Sequence, residues 1–341
     1  MNRFSYYRAS TVDDAVKALC AEPTARVIAG GTNLVDLMKY NVEAPATLVD
    51  VTRIDALKGI SETTDGSLRI GALVLNTTVA SDQRVNDRFP LLASAILAGA
   101  TPQLRNAATT GGNLNQRTRC YYFTDVATPC NKREPGSGCS AIGGLNRIHA
   151  ILGASEHCIA THPSDMCVAL AALQAEVHVA GPGSERVIPF AQYHRLPGDE
   201  PQRDNTLQPG EIVVAVVLPR ASCNYAGHYS YLKLRDRLSY AFALVSVAAA
   251  LEVEDAVIKS ARIALGGVAH KPWRRDDVEA SLAGKAADET VFAGAADLLL
   301  AGAQGYEHNA FKIDLARPAI IRALTQAAAG TPQSQTDKRI A

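Results

Sequence analysis

Four of the seven cysteines lie close together in the sequence, within 39 residues: Cys120, Cys130, Cys139 and Cys158. Four thiols are the number of ligands that one tetrahedral zinc ion or one iron–sulfur cluster takes from a protein. The intervals between them, nine, eight and eighteen residues, match no ferredoxin pattern. From these residues alone, an iron–sulfur cluster, a structural zinc site and unliganded loop thiols all remain open. The other three cysteines are isolated and are interpreted as ordinary small apolar residues: Cys20, Cys167 and Cys223.

Two glycine-rich segments have backbones that a ligand can approach closely. Residues 29–34 (Ala-Gly-Gly-Thr-Asn-Leu) lie between a predicted strand and a short predicted helix, where successive N–H groups can face a pyrophosphate. Residues 109–113 (Thr-Thr-Gly-Gly-Asn) are small enough to admit a flat ring or a phosphate. A plain strand-to-helix turn and a β-turn or bulge are the alternative interpretations. Together the two loops suggest one extended ligand held from two sides.

Charged residues near the predicted ends of elements are further candidates. Asp165 follows Ser164 at the start of a predicted helix, where it either caps the helix or accepts a hydrogen bond from a ribose or ribityl hydroxyl. Lys233 and Arg235 either hold a phosphate or the electron-rich edge of a reduced flavin, or form an ordinary charged strand face. No GxGxxG fingerprint, zincin helix or Ser/His/Asp order occurs, and none of the eight histidines is assigned to catalysis.

Composition limits the class of protein. The chain has 341 residues, 47% of them hydrophobic, and a formal net charge of zero, which suffices for two or three domains with their own cores. A net charge of zero gives no electrostatic attraction to nucleic acid. The sequence also has no run of about eighteen apolar residues, which a membrane-spanning helix would require. The N-terminal residues lack the apolar stretch of a secretory signal. Irregularly spaced, odd-numbered cysteines argue against a disulfide framework.

Hydrophobic periodicity and caps predict the elements that position these residues. A helix begins after Ser10 or Thr11, and the first sixty residues form a small βαβ-type unit. Residues 106–116 are interpreted as a loop or strand. The predicted strands are 26–29, 47–51, 68–70, 212–218, 242–248 and 258–265. The other predicted helices are a short one through Leu34, then 91–98, 164–173, 277–283 and 289–300.

Five segments, in the same order along the chain, resemble the FAD-binding subunit of the molybdenum hydroxylases, the xanthine dehydrogenase and carbon monoxide dehydrogenase family: residues 29–33, 110–114, 163–165, 207–212 and 261–269. The similarity extends from Phe4 to about residue 325. It implies an α+β protein with a vanillyl-alcohol-oxidase-type FAD-binding domain of two α/β subdomains, residues 1–57 and 58–222. A small C-terminal α+β domain (223–328) and a polar, disordered tail (329–341) follow.

The resemblance also implies site residues. The first loop would wrap the FAD pyrophosphate, through Val27, Ile28, Ala29, Gly30, Gly31, Thr32, Asn33 and Leu34. The second flavin loop would use Thr109, Thr110, Gly112 and Asn113. Further cofactor-binding positions would be Thr118, Asp165, Ile212 and Lys233, of which the last two correspond to positions that flank the isoalloxazine in the family. No residue of this chain is expected to be catalytic.

Residues 117–160, which contain the four cysteines, depart from the common family pattern and have the character of an insertion. They resemble the flavin subunit of bacterial periplasmic aldehyde oxidoreductases, which carries an extra 4Fe-4S cluster. The resemblance therefore implies a 4Fe-4S cluster on Cys120, Cys130, Cys139 and Cys158, with zinc as the competitor. A cluster there would either transfer electrons or stabilise a long loop.

The implied function is that of an FAD-binding electron-transfer subunit of a molybdenum-dependent aldehyde oxidoreductase. Expected partners are a large molybdenum-cofactor subunit and a small 2Fe-2S subunit in a heterotrimer, together with an external electron acceptor. Neither nucleic acid nor membrane insertion is expected. Co-export to the periplasm with a signal-bearing partner is expected, with the cytoplasm as the alternative. The alternative functions are a xanthine or carbon monoxide dehydrogenase-like flavin subunit with structural zinc, a stand-alone flavin oxidase and a cofactor-free scaffold.

Overall fold

The first unit of the chain is a three-stranded parallel sheet flanked by helices, in a computed structural model that describes residues 1–335 and 337. Its strand order is β1-β3-β2, so the predicted βαβ arrangement is present. Thr11 caps the first helix, because its side chain accepts a hydrogen bond from the Asp14 N–H. The elements are β1 (Ser5–Arg8), α1 (Val12–Ala21), β2 (Arg26–Ile28), α2 (Leu34–Lys39) and β3 (Thr47–Asp50).

A five-stranded antiparallel sheet forms the second unit, in the order β4-β5-β8-β6-β7. The predicted strand 212–218 is confirmed as β8, which is buried along its whole length at the centre of the sheet. The elements in chain order are β4 (Ile60–Glu62), β5 (Leu68–Gly71), α3 (Asn76–Ser81), α4 (Gln83–Arg88), α5 (Pro90–Ala98), α6 (Pro102–Arg105), α7 (Thr110–Leu114), α8 (Tyr121–Thr124), α9 (Asp165–Ala172), β6 (Glu176–Gly181), β7 (Ser184–Pro189), α10 (Phe190–Tyr193) and β8 (Ile212–Leu218).

Residues 106–116 were expected to be loop or strand, and that prediction is wrong because they contain α7. The helix forms despite its two glycines because the Thr109 hydroxyl accepts a hydrogen bond from the Gly112 N–H and so caps it. Helix α9 confirms the predicted helix 164–173, with Ser164 as its cap. Residues 117–160, here called the insertion, consist of α8 and turns, and Cys130 pairs with Cys139 in an isolated antiparallel bridge.

The third unit is a three-stranded antiparallel sheet, in the order β11-β10-β9, covered by helices. The strand expected at 242–248 begins only at Val245, where it pairs with Leu234, and it runs on to Glu254. Helix α13, which contains Pro318, was not predicted. The elements are β9 (Tyr229–Leu234), β10 (Val245–Glu254), β11 (Val257–Gly266), α11 (Asp276–Leu282), α12 (Glu289–Leu299) and α13 (Phe311–Ala328).

The α+β class is confirmed, whereas the exact domain boundaries stay predictions. Part of the tail predicted to be disordered, residues 336 and 338–341, lies outside the described residues. Residues 331–335 have no regular secondary structure, and the Gln335 side chain donates a hydrogen bond to the Tyr231 carbonyl at 2.9 Å. Among the described residues, no helix combines the length and apolar character needed to cross a membrane.

Candidate functional site

Gly30 of the first loop lies against the segment that leads directly into the second loop. A Cβ atom at this position would lie 1.8 Å from the carbonyl oxygen of Ala107, so any side chain would collide with the backbone two residues before the second loop. The next residue, Gly31, has φ of +70°, a conformation that favours glycine. These two glycines therefore bring together the segments that were predicted to hold one ligand from two sides.

A large cavity, here called the loop cavity, lies beside this contact, with a volume of about 1010 Å³. That volume includes space that is open to solvent. Seven of the predicted FAD-binding residues line it: Val27, Ala29, Asn33, Leu34, Thr109, Gly112 and Ile212. Strands β2 and β8 and helix α7 thus deliver both glycine loops and the predicted flanking isoleucine to one cavity.

Asn33 has a buried, unpaired side-chain donor at the loop cavity. Its Oδ1 accepts a hydrogen bond from the Arg117 N–H at 2.9 Å, whereas its Nδ2 is buried and has no hydrogen-bond partner within the described part of the chain. Leaving a buried donor unpaired costs about 1–3 kcal/mol. A phosphate oxygen of a bound dinucleotide is the kind of acceptor that would satisfy it, so the cavity fits FAD.

Asp165 and Lys233, predicted to contact FAD separately, form a buried ion pair with each other. The Lys233 Nζ lies 2.7 Å from Asp165 Oδ2, and their side chains are 3% and 8% exposed. Asp165 Oδ1 also accepts a hydrogen bond from the Tyr231 hydroxyl at 2.7 Å, and the Lys233 ammonium donates one to the Ala98 carbonyl at 3.2 Å. Neither residue lines the loop cavity; Asp165 lines a smaller one of about 370 Å³, together with Arg119.

Asn113 connects the second loop to this smaller cavity. Its Oδ1 accepts hydrogen bonds from the Ser164 hydroxyl at 2.5 Å and from Gln116 Nε2 at 2.9 Å, and its Nδ2 donates one to Asn76 Oδ1 at 2.7 Å. Because Ser164 caps α9, Asn113 fixes the helix end that carries Asp165. The second loop therefore lines the loop cavity and contacts Ser164, which lines the smaller one.

The remaining predicted residues have structural contacts. The Thr110 hydroxyl donates to the Val74 carbonyl at 3.0 Å inside the core, and the Thr118 hydroxyl accepts from the Cys120 N–H at 3.3 Å. The Ile28 carbonyl accepts from the Val51 N–H at 3.1 Å at the end of β2. Thr32 follows the two glycines and precedes α2 without lining the loop cavity.

All four clustered cysteines line a single cavity in the insertion, here called the cysteine cavity, with a volume of about 280 Å³. None forms a disulfide; Cys139 is half-buried and the others are buried: Cys120, Cys130 and Cys158. The sequence alone did not establish that the four thiols meet, because they are spread over loops. The fold brings them together.

Burial favours the protonated form of two of the cysteine thiols. It raises the pKa of Cys120 to about 12 and that of Cys158 to about 11, although the Lys132 ammonium opposes the shift at Cys158. Thiolates are the form that binds metal ions, and metal binding displaces the protons. The four thiols around one cavity thus form a donor set whose thiolate charge a metal centre would compensate.

The spacing of the sulfur atoms bears on which metal centre fits. Zn–S bonds of about 2.3 Å in a tetrahedron put the four sulfurs about 3.8 Å apart. Within the described residues, one group of three or more potential ligands has its donor atoms within 4.8 Å of one another, and it does not consist of these cysteines. The four cysteines line one cavity without belonging to such a compact group.

The compact group instead consists of His162, Cys167 and His194, which sequence analysis did not bring together. The two imidazole centroids are 4.2 Å apart, and His194 Nε2 lies 2.9 Å from the Leu114 carbonyl oxygen. Burial lowers the pKa of His194 to about 4 and that of His162 well below its ordinary value. His162 and Cys167 are five residues apart, but His194 lies 27 positions beyond Cys167, so spacing gave no signal for the group of three.

An ionic chain links the loop cavity to the cysteine cavity. Arg117 lines the former and Lys132 the latter, and both form ion pairs with Asp204. Arg117 also pairs with Glu43 at 2.5 Å. Burial alone would raise the pKa of Asp204, but Lys132 and Arg117 outweigh it and hold this pKa well below its usual range. Asp204 is therefore ionised and connects the two cavity walls.

Two known families cover most of the chain. Residues 2–221 match the family described as the FAD binding domain in molybdopterin dehydrogenase. Residues 229–327 match the CO dehydrogenase flavoprotein C-terminal domain. The first match covers the first two units of the fold, and the second match covers the third unit.

Individual relatives agree with these matches over nearly the full length. The aldehyde oxidoreductase FAD-binding subunit PaoB of Escherichia coli strain K12 is 48% identical over 330 residues, which are 96% of this chain and 99% of the relative. The carbon monoxide dehydrogenase medium chain of Hydrogenophaga pseudoflava is 28% identical, over 88% of this chain and 86% of the relative.

A solved structure shows the same fold. Carbon monoxide dehydrogenase from Hydrogenophaga pseudoflava, in a form that lacks the Mo-pyranopterin moiety of its cofactor, aligns with a TM-score of 0.75 at 26% identity. The alignment covers 96% of this chain and 98% of that one. The cavity between the glycine loops, the unpaired Asn33 donor and these matches converge on one assignment: the chain belongs to the molybdenum hydroxylase family as an FAD-binding subunit of the aldehyde oxidoreductase type.

Proposed function

We propose that this chain collects electrons in a molybdenum-dependent aldehyde oxidoreductase and that its four clustered cysteines hold a 4Fe-4S cluster. A large molybdenum-cofactor subunit would oxidise the aldehyde, a small 2Fe-2S subunit would pass the electrons on, and FAD on this chain would deliver them to an external acceptor. The observation that carries the proposal is the convergence of Cys120, Cys130, Cys139 and Cys158 on one cavity.

The spacing of the donors favours the cluster over zinc. A four-iron cluster takes four cysteine thiolates at separate iron corners, so it needs sulfurs farther apart than the about 3.8 Å of a zinc tetrahedron. The compact ligand group within the described residues, His162, Cys167 and His194, does not include the four clustered cysteines, which supports the wider arrangement.

The chain path also supports a redox role for the cysteine cavity. Arg119 lines the smaller cavity beside Asp165, and the next residue, Cys120, lines the cysteine cavity. Neighbouring Cα atoms are 3.8 Å apart, so the two cavities are adjacent. A metal centre held there would lie next to the smaller cavity, which Asp165 and Ser164 line.

The chain's own groups bind and orient; no proton transfer to an aldehyde is assigned to them. Asn33 and the two glycine loops offer N–H donors at the loop cavity. The Asp165–Lys233 pair is held by the Tyr231 hydroxyl and the Ala98 carbonyl. Stabilisation of a reduced anionic flavin by Lys233 stays a prediction, because its ammonium is already paired.

Metal and flavin analysis of the purified complex tests the proposal. We expect one FAD and, in this chain, about four irons with matching labile sulfide. Zinc without labile sulfide would overturn the cluster and leave the FAD assignment standing. Since His162, Cys167 and His194 offer zinc a second location, the cysteine variants must decide where any zinc binds.

Single replacements of the four cysteines by Ser sharpen the test. Each is expected to lower the iron content of this chain, while Cys20→Ser, at an exposed thiol outside the cavity, leaves it unchanged. If one of the four variants keeps its full iron content, the proposed ligand set is wrong. The rate of flavin reduction by aldehyde in the same variants distinguishes an electron-transfer role of the cluster from a structural one. If the role is structural, the variants lose stability and the reduction rate stays unchanged.

The heterotrimer and its location are part of the same proposal. Co-purification with one large and one small subunit, measured by native mass spectrometry, supports the assembly. Aldehyde oxidation by this chain alone would instead support a stand-alone flavin oxidase. Co-export to the periplasm with a signal-bearing partner rests on the resemblance, and fractionation of the cells decides between periplasm and cytoplasm.

A further inference from the structure

His149 is the one side chain of the insertion with a ring nitrogen at hydrogen-bond distance from a clustered cysteine in the described structure. Its Nε2 lies 3.0 Å from Cys120 Sγ, and the residue is 1% exposed. The ring lies near two tyrosines, with centroid distances of 6.3 Å to Tyr121 and 6.4 Å to Tyr122. The imidazole is therefore buried beside a cysteine that lines the cysteine cavity.

The unpaired nitrogen of the ring determines which atom carries the proton. His149 Nδ1 is buried and has no hydrogen-bond partner in the described residues. A neutral imidazole carries one N–H, and an N–H on Nδ1 would be a buried donor without an acceptor, whereas one on Nε2 points at the Cys120 sulfur. A cationic ring carries an N–H on both nitrogens, so Nε2 bears a proton in that state as well. His149 Nε2–H is therefore the donor.

The third unit of the fold holds His149 in place through its backbone. The His149 carbonyl accepts hydrogen bonds from Lys312 Nζ at 2.8 Å and from Asn309 Nδ2 at 3.3 Å. The His149 N–H donates to the Asn146 carbonyl at 3.0 Å, and Asn146 Oδ1 accepts from the His308 N–H at 3.0 Å. Residues at the start of α13 thus fix the loop that aims the imidazole.

We propose that His149 is a positioning residue that donates a hydrogen bond to the Cys120 sulfur and so raises the reduction potential of the metal centre held by the four cysteines. This inference rests on the proposed 4Fe-4S cluster. A donor to a ligating sulfur offsets negative charge on the cluster, and reduction adds negative charge, so the reduced state gains more from the bond. Cys158 Sγ accepts a hydrogen bond only from a backbone group, the Ala160 N–H at 3.4 Å. Within the described structure, Cys120 is therefore the one clustered cysteine whose sulfur has a side-chain donor.

A redox titration of the purified complex, followed by electron paramagnetic resonance, tests the effect. We expect His149→Leu to keep its iron and FAD and to shift the cluster potential to a more negative value, because the N–H donor is lost. His149→Gln, which retains an N–H donor, is expected to remain near the wild-type potential. His157→Leu is the matched control, since His157 lines the cysteine cavity but forms no hydrogen bond to a clustered cysteine in the described residues. The FAD potential serves as the internal reference.

Pulsed paramagnetic resonance on wild-type protein with ¹⁵N-histidine keeps the proposal falsifiable if His149→Leu fails to assemble. A hyperfine coupling to one histidine nitrogen, lost in His149→Gln and retained in His157→Leu, supports the hydrogen bond. Its absence, or an unchanged potential in an iron-replete His149→Leu variant, overturns the role of His149 while leaving the cluster intact. A wild-type chain without cluster iron overturns both the cluster and this inference.

Discussion

Gly30 illustrates how one missing side chain shapes the FAD site. A methyl group there would meet the Ala107 carbonyl at 1.8 Å, and backbone cannot yield as a flexible side chain can. The residue thus allows a close approach to Ala107, 77 positions later, and both glycine loops line one cavity. Close backbone contact is the role that the structure gives to Gly30, and FAD binding by this residue stays a prediction.

Gly30→Ala is therefore expected to separate the loops. We expect a loss of about 1–3 kcal/mol in the free energy of unfolding, typical of overpacking, together with reduced FAD content. Urea unfolding and the flavin-to-protein absorbance ratio measure the two effects. Gly227→Ala is the control, because a Cβ there meets nothing within 4 Å. Full flavin content and unchanged stability in Gly30→Ala would contradict the predicted clash.

Asn33 tests the loop cavity at the level of a single donor. Asn33→Asp keeps the oxygen that accepts from the Arg117 N–H and replaces the unpaired Nδ2 with a second oxygen. A hydrogen bond to a charged group contributes about 1.5–3 kcal/mol, so FAD affinity should fall at least about tenfold. Titration of deflavinated protein with FAD gives the dissociation constant. The same constant in Asn33→Asp would mean that this donor does not contact the cofactor.

At the scale of elements, the Asp165–Lys233 pair joins helix α9 to strand β9. Breaking a buried pair leaves an uncompensated charge and costs about 3–5 kcal/mol, so Lys233→Met is expected to lower the free energy of unfolding by that amount. The double variant Asp165→Leu/Lys233→Met removes both charges and should recover much of the loss. Urea unfolding of both variants decides; a double variant as unstable as the single one would show that the charge pair is not the cause.

The elements that sequence predicted are those whose signal is local. Strand β8 is a continuous apolar run because it is buried throughout, and α9 has both a serine cap and an apolar composition. Helix α7 was missed because its glycines favour loops and its cap acts through one hydroxyl. Helix α13 was missed because Pro318 interrupts its pattern.

Contacts between distant residues could not be predicted in the same way. The donor at His149 lies 29 positions from Cys120, and Lys233 lies 68 positions from Asp165. Neither spacing follows a helical or strand period, so only the assembled fold reveals the pairs. The resemblance to a known family predicted the glycine loops and the clustered cysteines. The residues that contact them became known only from the packing of the three units.

For the whole molecule, buried neutral histidines predict acid sensitivity. Burial lowers the pKa of His194 and of His270 to about 4 each, against about 6.5 in the unfolded chain. Between these values the unfolded state binds more protons, so stability is full above about pH 6.5 and falls as the pH drops towards 4. Each histidine contributes a slope of up to about 1.4 kcal/mol per pH unit.

Urea unfolding at pH 7, 6 and 5 measures this dependence, and His270→Gln is expected to reduce the slope by the contribution of one histidine. A slope that is the same in wild type and His270→Gln would contradict the assigned cause. The stability of the variant at pH 7 is a separate quantity, because the hydrogen bond from the His270 ring to the Arg195 carbonyl is also changed.

Asp204 holds Lys132 on the wall of the cysteine cavity and Arg117 on the wall of the loop cavity. A displacement of either cation changes the field at the other, because they share one carboxylate. If the four cysteines hold the proposed cluster, we therefore expect maturation to be cooperative, because metal insertion at the cysteine cavity and FAD insertion at the loop cavity would act on ion pairs that share Asp204. By linkage, such coupling is reciprocal, so the flavin content of the finished subunit is expected to fall when iron is limiting during growth.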